Sequence, residues 1–268
     1  MALKAEQIGE AKAGLDAMRL FALAALAGAF IGFGAMFATV TAAGAAEFLP
    51  YGVVRLLSGL AFSLGLILVI IGGAELFTGN ALIVMAWAAR RVSSFALLRN
   101  WTIVLVGNLV GAVATAALIF AAGQYGFGSG QVGAAALAAA EAKTSLGFGQ
   151  ALALGILCNV LTCLAVWLSF SARTMAGKIA AIVPPVAAFV AGGFEHSIAN
   201  MYFLPLGLMI KASAGDGFWA SIAASPVDYD GLTFTAMILN LVPVTIGDII
   251  GGVGLVGAVY WFIYLRRR

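Results

Sequence analysis

The chain has 268 residues, of which 63% are hydrophobic and 9% charged, with a mean hydropathy of +1.08 and a formal net charge of +3. A soluble globular domain has about a quarter of its residues charged, so this composition excludes that class and predicts an all-α integral membrane protein. One histidine and two cysteines are too few for clustered ligands or a nucleophile with its base, which argues against a membrane-embedded enzyme or redox subunit; no catalytic residue, metal, cofactor or nucleic-acid partner is expected.

Residues 1–16 carry Lys4, Glu6, Glu10, Lys12 and Asp16 among Ala and Leu. They read as a short amphipathic helix on the cytoplasmic surface, without the apolar core of a cleavable signal peptide. A membrane helix needs roughly 20 apolar residues, and six runs qualify: 17–45, 52–89, 97–122, 149–171, 179–210 and 232–264. The expected domain is single: a first repeat at 17–122, a Gly/Ala/Ser-rich connector at 123–148, a second repeat at 149–264 and a basic tail at 265–268. With the N-terminus inside, Lys4, Lys12, Arg19, Arg90, Arg91, Arg99, Arg173, Lys178, Arg266, Arg267 and Arg268 fall on the cytoplasmic side, and only Arg55, Lys143 and Lys211 fall outside. This bias puts both termini in the cytoplasm.

The second and fifth runs are too long. A helix through 52–89 would reach about 60 Å, roughly twice the hydrocarbon thickness, so each run needs a break. Each holds one copy of a repeated string: Gly72-Gly73-Ala74-Glu75-Leu76-Phe77-Thr78-Gly79-Asn80, and, 120 positions later, Gly192-Gly193-Phe194-Glu195-His196-Ser197-Ile198-Ala199-Asn200. The Gly pair is the natural break. The third and sixth runs match as well: Asn100-Trp101 with Gly107-Asn108-Leu109-Val110-Gly111 corresponds to Asn240-Leu241 with Gly247-Asp248-Ile249-Ile250-Gly251, 140 positions later. Three spans per half is an odd number, so the halves insert in opposite directions, and paired interruptions in inverted repeats point to a transport site.

Other features along the chain are expected to be structural. The pairs Gly28/Gly32, Gly107/Gly111 and Gly247/Gly251 have the spacing that lets helices pack closely. Cys158 and Cys163, five apart on the fourth run, are poorly placed to pair or to share a metal. The stretch 212–231, with Asp216, Asp228 and Asp230, reads as an external loop. Asp248 could pair with a neighbouring cation, be protonated or face an aqueous end of the sixth run, and is expected to be a helix-terminal polar residue that does not touch the core motifs.

His196 is the single histidine and sits near the centre of the fifth run, where an ionisable group marks a functional site unless it merely packs against a backbone carbonyl. Broken helices also point N-terminal N–H groups inward, which favours an anion. With Lys143 as the only basic residue of the connector, the sparse polar inventory suits a small monovalent anion. Glu75 and Glu195, with Asn80 and Asn200 in the same strings, are expected to support the breaks rather than to line the path.

The strings Glu75-Leu76-Phe77-Thr78-Gly79-Asn80, Gly155-Ile156-Leu157-Cys158-Asn159, Gly193-Phe194-Glu195-His196-Ser197-Ile198-Ala199-Asn200-Met201 and Asn240-Leu241-Val242-Pro243-Val244-Thr245-Ile246-Gly247 resemble the formate/nitrite transporter family over residues 15–265. The resemblance implies an aquaporin-like fold of six transmembrane helices in two inverted three-helix repeats, with helices 2 and 5 broken, assembled as a homopentamer with one pore per subunit. It places His196 at the pore centre beside Thr78 and Asn159, gives Lys143 the task of drawing anions to the mouth, and puts Phe62, Leu66, Leu76, Phe189 and Phe194 at the constrictions. The implied cargo is formate, with nitrite or hydrosulfide as the alternative, and protons as a coupling partner. A bare carboxylate meets a high desolvation barrier between such apolar gates; a proton from His196, or from water positioned by it, would lower the barrier. Asp248 stands where the family pattern has Asn. A water or glycerol channel of similar architecture would carry Asn-Pro-Ala at its half-helices, and neither break does.

Overall fold

The structure is a computed structural model and describes residues 1–266; Arg267 and Arg268 of the expected basic tail lie outside the described residues. Every regular element among the described residues is helical. The chain opens with α1 (Ala2–Ala13), then α2 (Ala17–Ala42), whose N-terminus is capped by Asp16 accepting from the Arg19 N–H at 3.0 Å. Next comes α3 (Tyr51–Gly72), which stops where Gly73 takes a left-handed φ of 75° that a side chain would strain. The chain runs extended to Leu76 and resumes as α4 (Phe77–Asn80), continued by a 3-10 turn and α5 (Val84–Ala88). Then α6 (Ser94–Ala121) follows, capped by the Ser93 hydroxyl.

The residues expected to form only a connector hold a further helix, α7 (Gln131–Thr144), which carries Lys143 near its end. Its Ala-rich sequence has high helix propensity but little amphipathic signal. Further helices follow in the second half. It contains α8 (Phe148–Ser169) and α9 (Met175–Ala191), an interruption at Gly193 with φ 72°, and α10 (Ser197–Ser213). The short α11 (Asp216–Ser221) leads to α12 (Phe234–Ile249), which runs on as a π-helical stretch, Ile250–Ala258, into α13 (Val259–Tyr264). Among the described residues, five helices are long and apolar enough to cross a membrane. Large apolar side chains such as Phe33, Phe37, Phe95, Leu118 and Phe148 stand exposed around the outside, as a surface facing lipid or neighbouring subunits requires.

The packing follows the small residues. In the first half α2 lies against α3 and α6, in the second α8 lies against α9 and α12, and α3 meets α9 between the halves. A Cβ added at Gly28 would stand 2.1 Å from the Asn108 carbonyl oxygen, and one at Gly111 would stand 1.9 Å from that of Ala25. On α12, Cβ atoms at Gly247 and Gly251 would lie 2.4 Å from the Leu152 and 2.3 Å from the Ile156 carbonyl oxygens of α8. The reading of these glycines as close-packing positions is therefore borne out: backbone rather than side chain sets the helix spacing. Cys158 and Cys163 are buried free thiols.

Because the obstacle at Gly111 is a main-chain oxygen, Gly111→Ala is expected to lower the thermal midpoint of the detergent-solubilised protein by the several degrees that a loss of about 1–3 kcal/mol implies. Gly149→Ala, at an exposed position with nothing within 4 Å of the new Cβ, should leave the midpoint unchanged in fluorescence-detected size-exclusion chromatography after heating.

Candidate functional site

Each interruption leaves a glutamate in apolar surroundings, and a buried carboxylate needs a cation and hydrogen bonds. At the first, Glu75 Oε2 accepts from Lys12 Nζ at 3.1 Å and from Asn80 Nδ2 at 2.8 Å. Asn80 Nδ2 also donates to Asn100 Oδ1 at 3.0 Å, and Asn100 Nδ2 donates to the Lys12 carbonyl at 3.1 Å. The second interruption has the same design. Glu195 Oε1 accepts from Lys143 Nζ at 2.8 Å and its Oε2 from Asn200 Nδ2 at 2.6 Å. Asn200 Nδ2 donates to Asn240 Oδ1 at 2.7 Å, and Asn240 Nδ2 to the Lys143 carbonyl at 2.8 Å. Glu75, Asn80, Glu195 and Asn200 are thus bonded to side chains brought from elsewhere in the chain, and α1 and α7 supply the matching lysines.

One more side chain from the next long helix holds the first N–H of each resumed helix. Asn108 Oδ1 on α6 accepts from Phe77 N–H at 2.9 Å, while its Nδ2 donates to the carbonyls of Ala24 at 2.7 Å and Glu75 at 2.9 Å. On α12, Asp248 Oδ2 accepts from Ser197 N–H at 3.1 Å and Ser197 Oγ at 2.5 Å. Asp248 is fully buried near the end of α12, and its bonds to Ser197 correct the expectation that it does not touch the core motifs. The substitution touches the second break directly, because the polar face of α12 is turned inward toward the start of α10.

Between the two clusters lies the polar centre. Thr78 Oγ1 and His196 Nε2 are 3.0 Å apart and both residues are buried. His196 is also the N-cap of α10, its Nδ1 accepting from the Ala199 N–H at 3.1 Å. A ring nitrogen that accepts carries no hydrogen, so Nε2 holds the proton and donates it toward Thr78. The imidazole stacks against Phe189, with centroids 6.0 Å apart and planes at 11°, and Phe189 meets Phe62 edge-on at 5.8 Å.

His196 lines the larger of two cavities, and Leu76 and Gly79, close to Thr78 in sequence, line the smaller. One, of about 220 Å³, is lined by Lys12, Leu66, Glu75, Leu76 and Asn80. The other, of about 470 Å³, is lined by Phe62, Lys143, Phe189, Phe194, Glu195 and His196. Phe62 and Leu66 are one turn apart on α3, so a single helix face serves both. Thr78 comes to His196, but Asn159 finds a different partner: its Nδ2 donates to the Asp248 carbonyl at 2.6 Å. Lys143 lines its cavity with its ammonium paired to Glu195 and 5.3 Å from the Phe203 ring centroid.

Residues 1–262 match the family model described as formate/nitrite transporter. The chain belongs to the formate/nitrite transporter family. It is a multi-pass membrane protein of a family named for transport rather than for an enzymatic reaction. Among similar family members, the formate channel FocA of Escherichia coli strain K12 is 45% identical over 269 residues, covering 100% of this chain and 94% of that protein. A probable formate transporter of Methanothermobacter thermautotrophicus is 38% identical over 276 residues, covering 97% and 94%. Of the solved structures in the family, a pentameric formate channel with formate bound superposes with a TM-score of 0.89 at 47% identity, over 93% of this chain and 98% of that one. An FNT family ion channel gives a TM-score of 0.81 at 28% identity, over 98% of both.

Lys12, Asn100, Asn108, Ser197 and Asn240 are site residues that the sequence did not single out by role. The 140-residue repeat already contained Asn100, Asn108 and Asn240, and pairing them with the 120-residue repeat was the available signal. Lys12 gave none. Lys143→Ala is expected to cost about 3–5 kcal/mol by stranding the Glu195 carboxylate, seen as a fall in the unfolding midpoint. The Lys143→Ala/Glu195→Gln double variant should recover most of that loss; a double variant no more stable than the single would contradict the pairing.

Proposed function

We propose that this chain is a formate channel of the prokaryotic inner membrane, a homopentamer with one pore per subunit, multi-pass, with both termini cytoplasmic. In this reading residues 17–122 and 149–264 are inverted repeats of three spans each. The second and fifth spans are broken, the first at 73–76 and the second at 192–196. The observation that carries it is the buried Thr78–His196 pair, 3.0 Å apart, whose histidine lines the larger cavity, in a chain that matches formate channels along its length. Three of the four similar proteins reported above are named for formate, which favours that anion over nitrite or hydrosulfide.

The path runs from one cavity to the other. Lys143 draws anions to the larger mouth, and Lys12 holds the matching place at the smaller. Phe62, Phe189 and Phe194 narrow one side of the centre and Leu66 and Leu76 the other, so a charged formate loses most of its water between them at high cost. At the centre it meets the His196 Nε2–H and the Thr78 hydroxyl, while Asn159 braces the backbone behind them by its bond to the Asp248 carbonyl.

Protonation to formic acid removes the charge that makes the apolar gates costly. The capping bond constrains where that proton comes from. For the ring to give up its Nε2 proton and remain neutral, a proton must add at Nδ1, and this displaces the Ala199 N–H that Nδ1 accepts. Proton donation by His196 is therefore coupled to loosening the start of α10, whereas water held by Nε2–H offers a route that leaves the cap intact.

His196→Asn keeps a hydrogen-bond donor but has no titrating nitrogen. Formate flux into proteoliposomes is expected to persist in this variant while losing its dependence on the direction of an imposed pH gradient. Unchanged pH behaviour would remove the ring from the proton pathway. A wild-type protein that passes none of formate, nitrite, acetate, lactate and hydrosulfide would overturn the assignment of cargo.

A further inference from the structure

Asn108 and Asp248 fill matching places 140 residues apart and differ in one side-chain atom. Each accepts from the first N–H of a resumed helix, Phe77 for α4 and Ser197 for α10. Asn108 then uses its other atom as a donor, to the carbonyls of Ala24 and Glu75. The corresponding atom of Asp248 is Oδ1, which is buried and has no hydrogen-bond partner among the described residues. An amide donates from that place, a carboxylate cannot, and a carboxylic acid can.

The surroundings offer an ionised Asp248 no cation. From α8 the side chain bonded to it is Asn159, whose Nδ2 donates to the Asp248 carbonyl, and the buried thiols of Cys158 and Cys163 lie on the same helix. From the approach to α10 come Glu195 and, next to Ser197, His196, whose two nitrogens are engaged with Ala199 and Thr78. On α7 the ammonium of Lys143 is already bonded to Glu195. Tyr202 on α10 packs against the Gly32 position of α2, and the π-helical stretch Ile250–Ala258 has no ionisable side chain. A buried carboxylate without a cation is far more costly than its neutral acid.

We propose that Asp248 is a proton-binding site built into the second break: a carboxylic acid with its proton on Oδ1, linked through Ser197 to the His196 centre. When the O–H bond at Oδ1 breaks, the proton goes to water and the charge stays on the carboxylate, whose Oδ2 still accepts from Ser197. The new negative charge then lies at the start of α10, beside the pore centre, and opposes entry of an anion. This effect on flux rests on the reading of His196 as the pore centre; the protonation itself does not. The channel thus carries a second protonatable group, absent from the first half, that shuts off anion passage on alkalinisation.

Infrared spectroscopy of the full-length protein in lipid membranes, with aspartate carrying a carbon-13 side-chain carboxyl, tests the site. Four of the five aspartates are exposed, namely Asp16, Asp216, Asp228 and Asp230, so a label-shifted C=O band of a buried carboxylic acid at neutral pH is expected and belongs to Asp248. It should vanish in Asp248→Asn, a variant that restores the amide found at Asn108. A spectrum with labelled carboxylate only, at neutral pH, would overturn the proposal. In proteoliposomes, wild-type formate flux should fall several-fold between neutral and alkaline medium while Asp248→Asn stays level, and parallel profiles would overturn the link to passage. If neither protein passes formate, the functional reading fails and the infrared band still decides the state of Asp248.

Discussion

A helix interrupted inside an apolar slab leaves carboxylates and backbone N–H groups that water cannot reach, and satisfying them is the constraint on which the rest of this structure depends. The solution is used twice. A glutamate in each break is bonded to an asparagine one turn into the resumed helix and to a lysine from outside the core of the repeat. A second asparagine, on the next long helix, joins that asparagine to the lysine's own carbonyl. Each cluster thereby ties together three elements that are far apart in sequence. The starts of α4 and α10 are held by Asn108 and Asp248, which sit among the close-packed glycines of α6 and α12.

With both breaks pinned, the few polar atoms left over define the site. In the first half the resumed helix presents Thr78, in the second His196 and Ser197, and the two halves meet where Thr78 and His196 touch. The histidine owes its orientation to its second job as the cap of α10, so the cap and the donor directed at Thr78 are two consequences of one tautomer. The lysines are neutralised by their glutamates. What the cavities present to an anion is a paired charge with directed N–H groups, set against apolar walls that favour only a small or neutral species.

Much of this was legible in the sequence because duplication leaves a record. The offsets of 120 and 140 residues marked Glu75 with Glu195, Asn80 with Asn200 and Asn100 with Asn240, and the overlong second and fifth runs required an interruption near each Gly pair. The small-residue spacing likewise carried its own explanation, which the backbone distances at Gly111 and Gly251 bear out. Other features left no such record. Lys12 reaches Glu75 across 63 residues and Lys143 reaches Glu195 across 52, and a lysine on a terminal helix looks the same in sequence whether it faces water or a buried carboxylate. The Ala-rich α7 lacked a hydrophobic period, so its helix was hidden in a segment that read as a connector. Asp248 looked peripheral because nothing in a linear string reveals that its side chain turns onto the first turn of another helix.

The central claim is that His196 at once caps α10 through Nδ1 and presents Nε2–H to the pore. Since the chain has one histidine, nitrogen-15 histidine labelling gives a single imidazole to observe by solid-state NMR of the protein in lipid bilayers at neutral pH. The account predicts one tautomer, with a protonated Nε2 and an unprotonated, hydrogen-bonded Nδ1. A ring protonated at Nδ1, alone or together with Nε2, would contradict it.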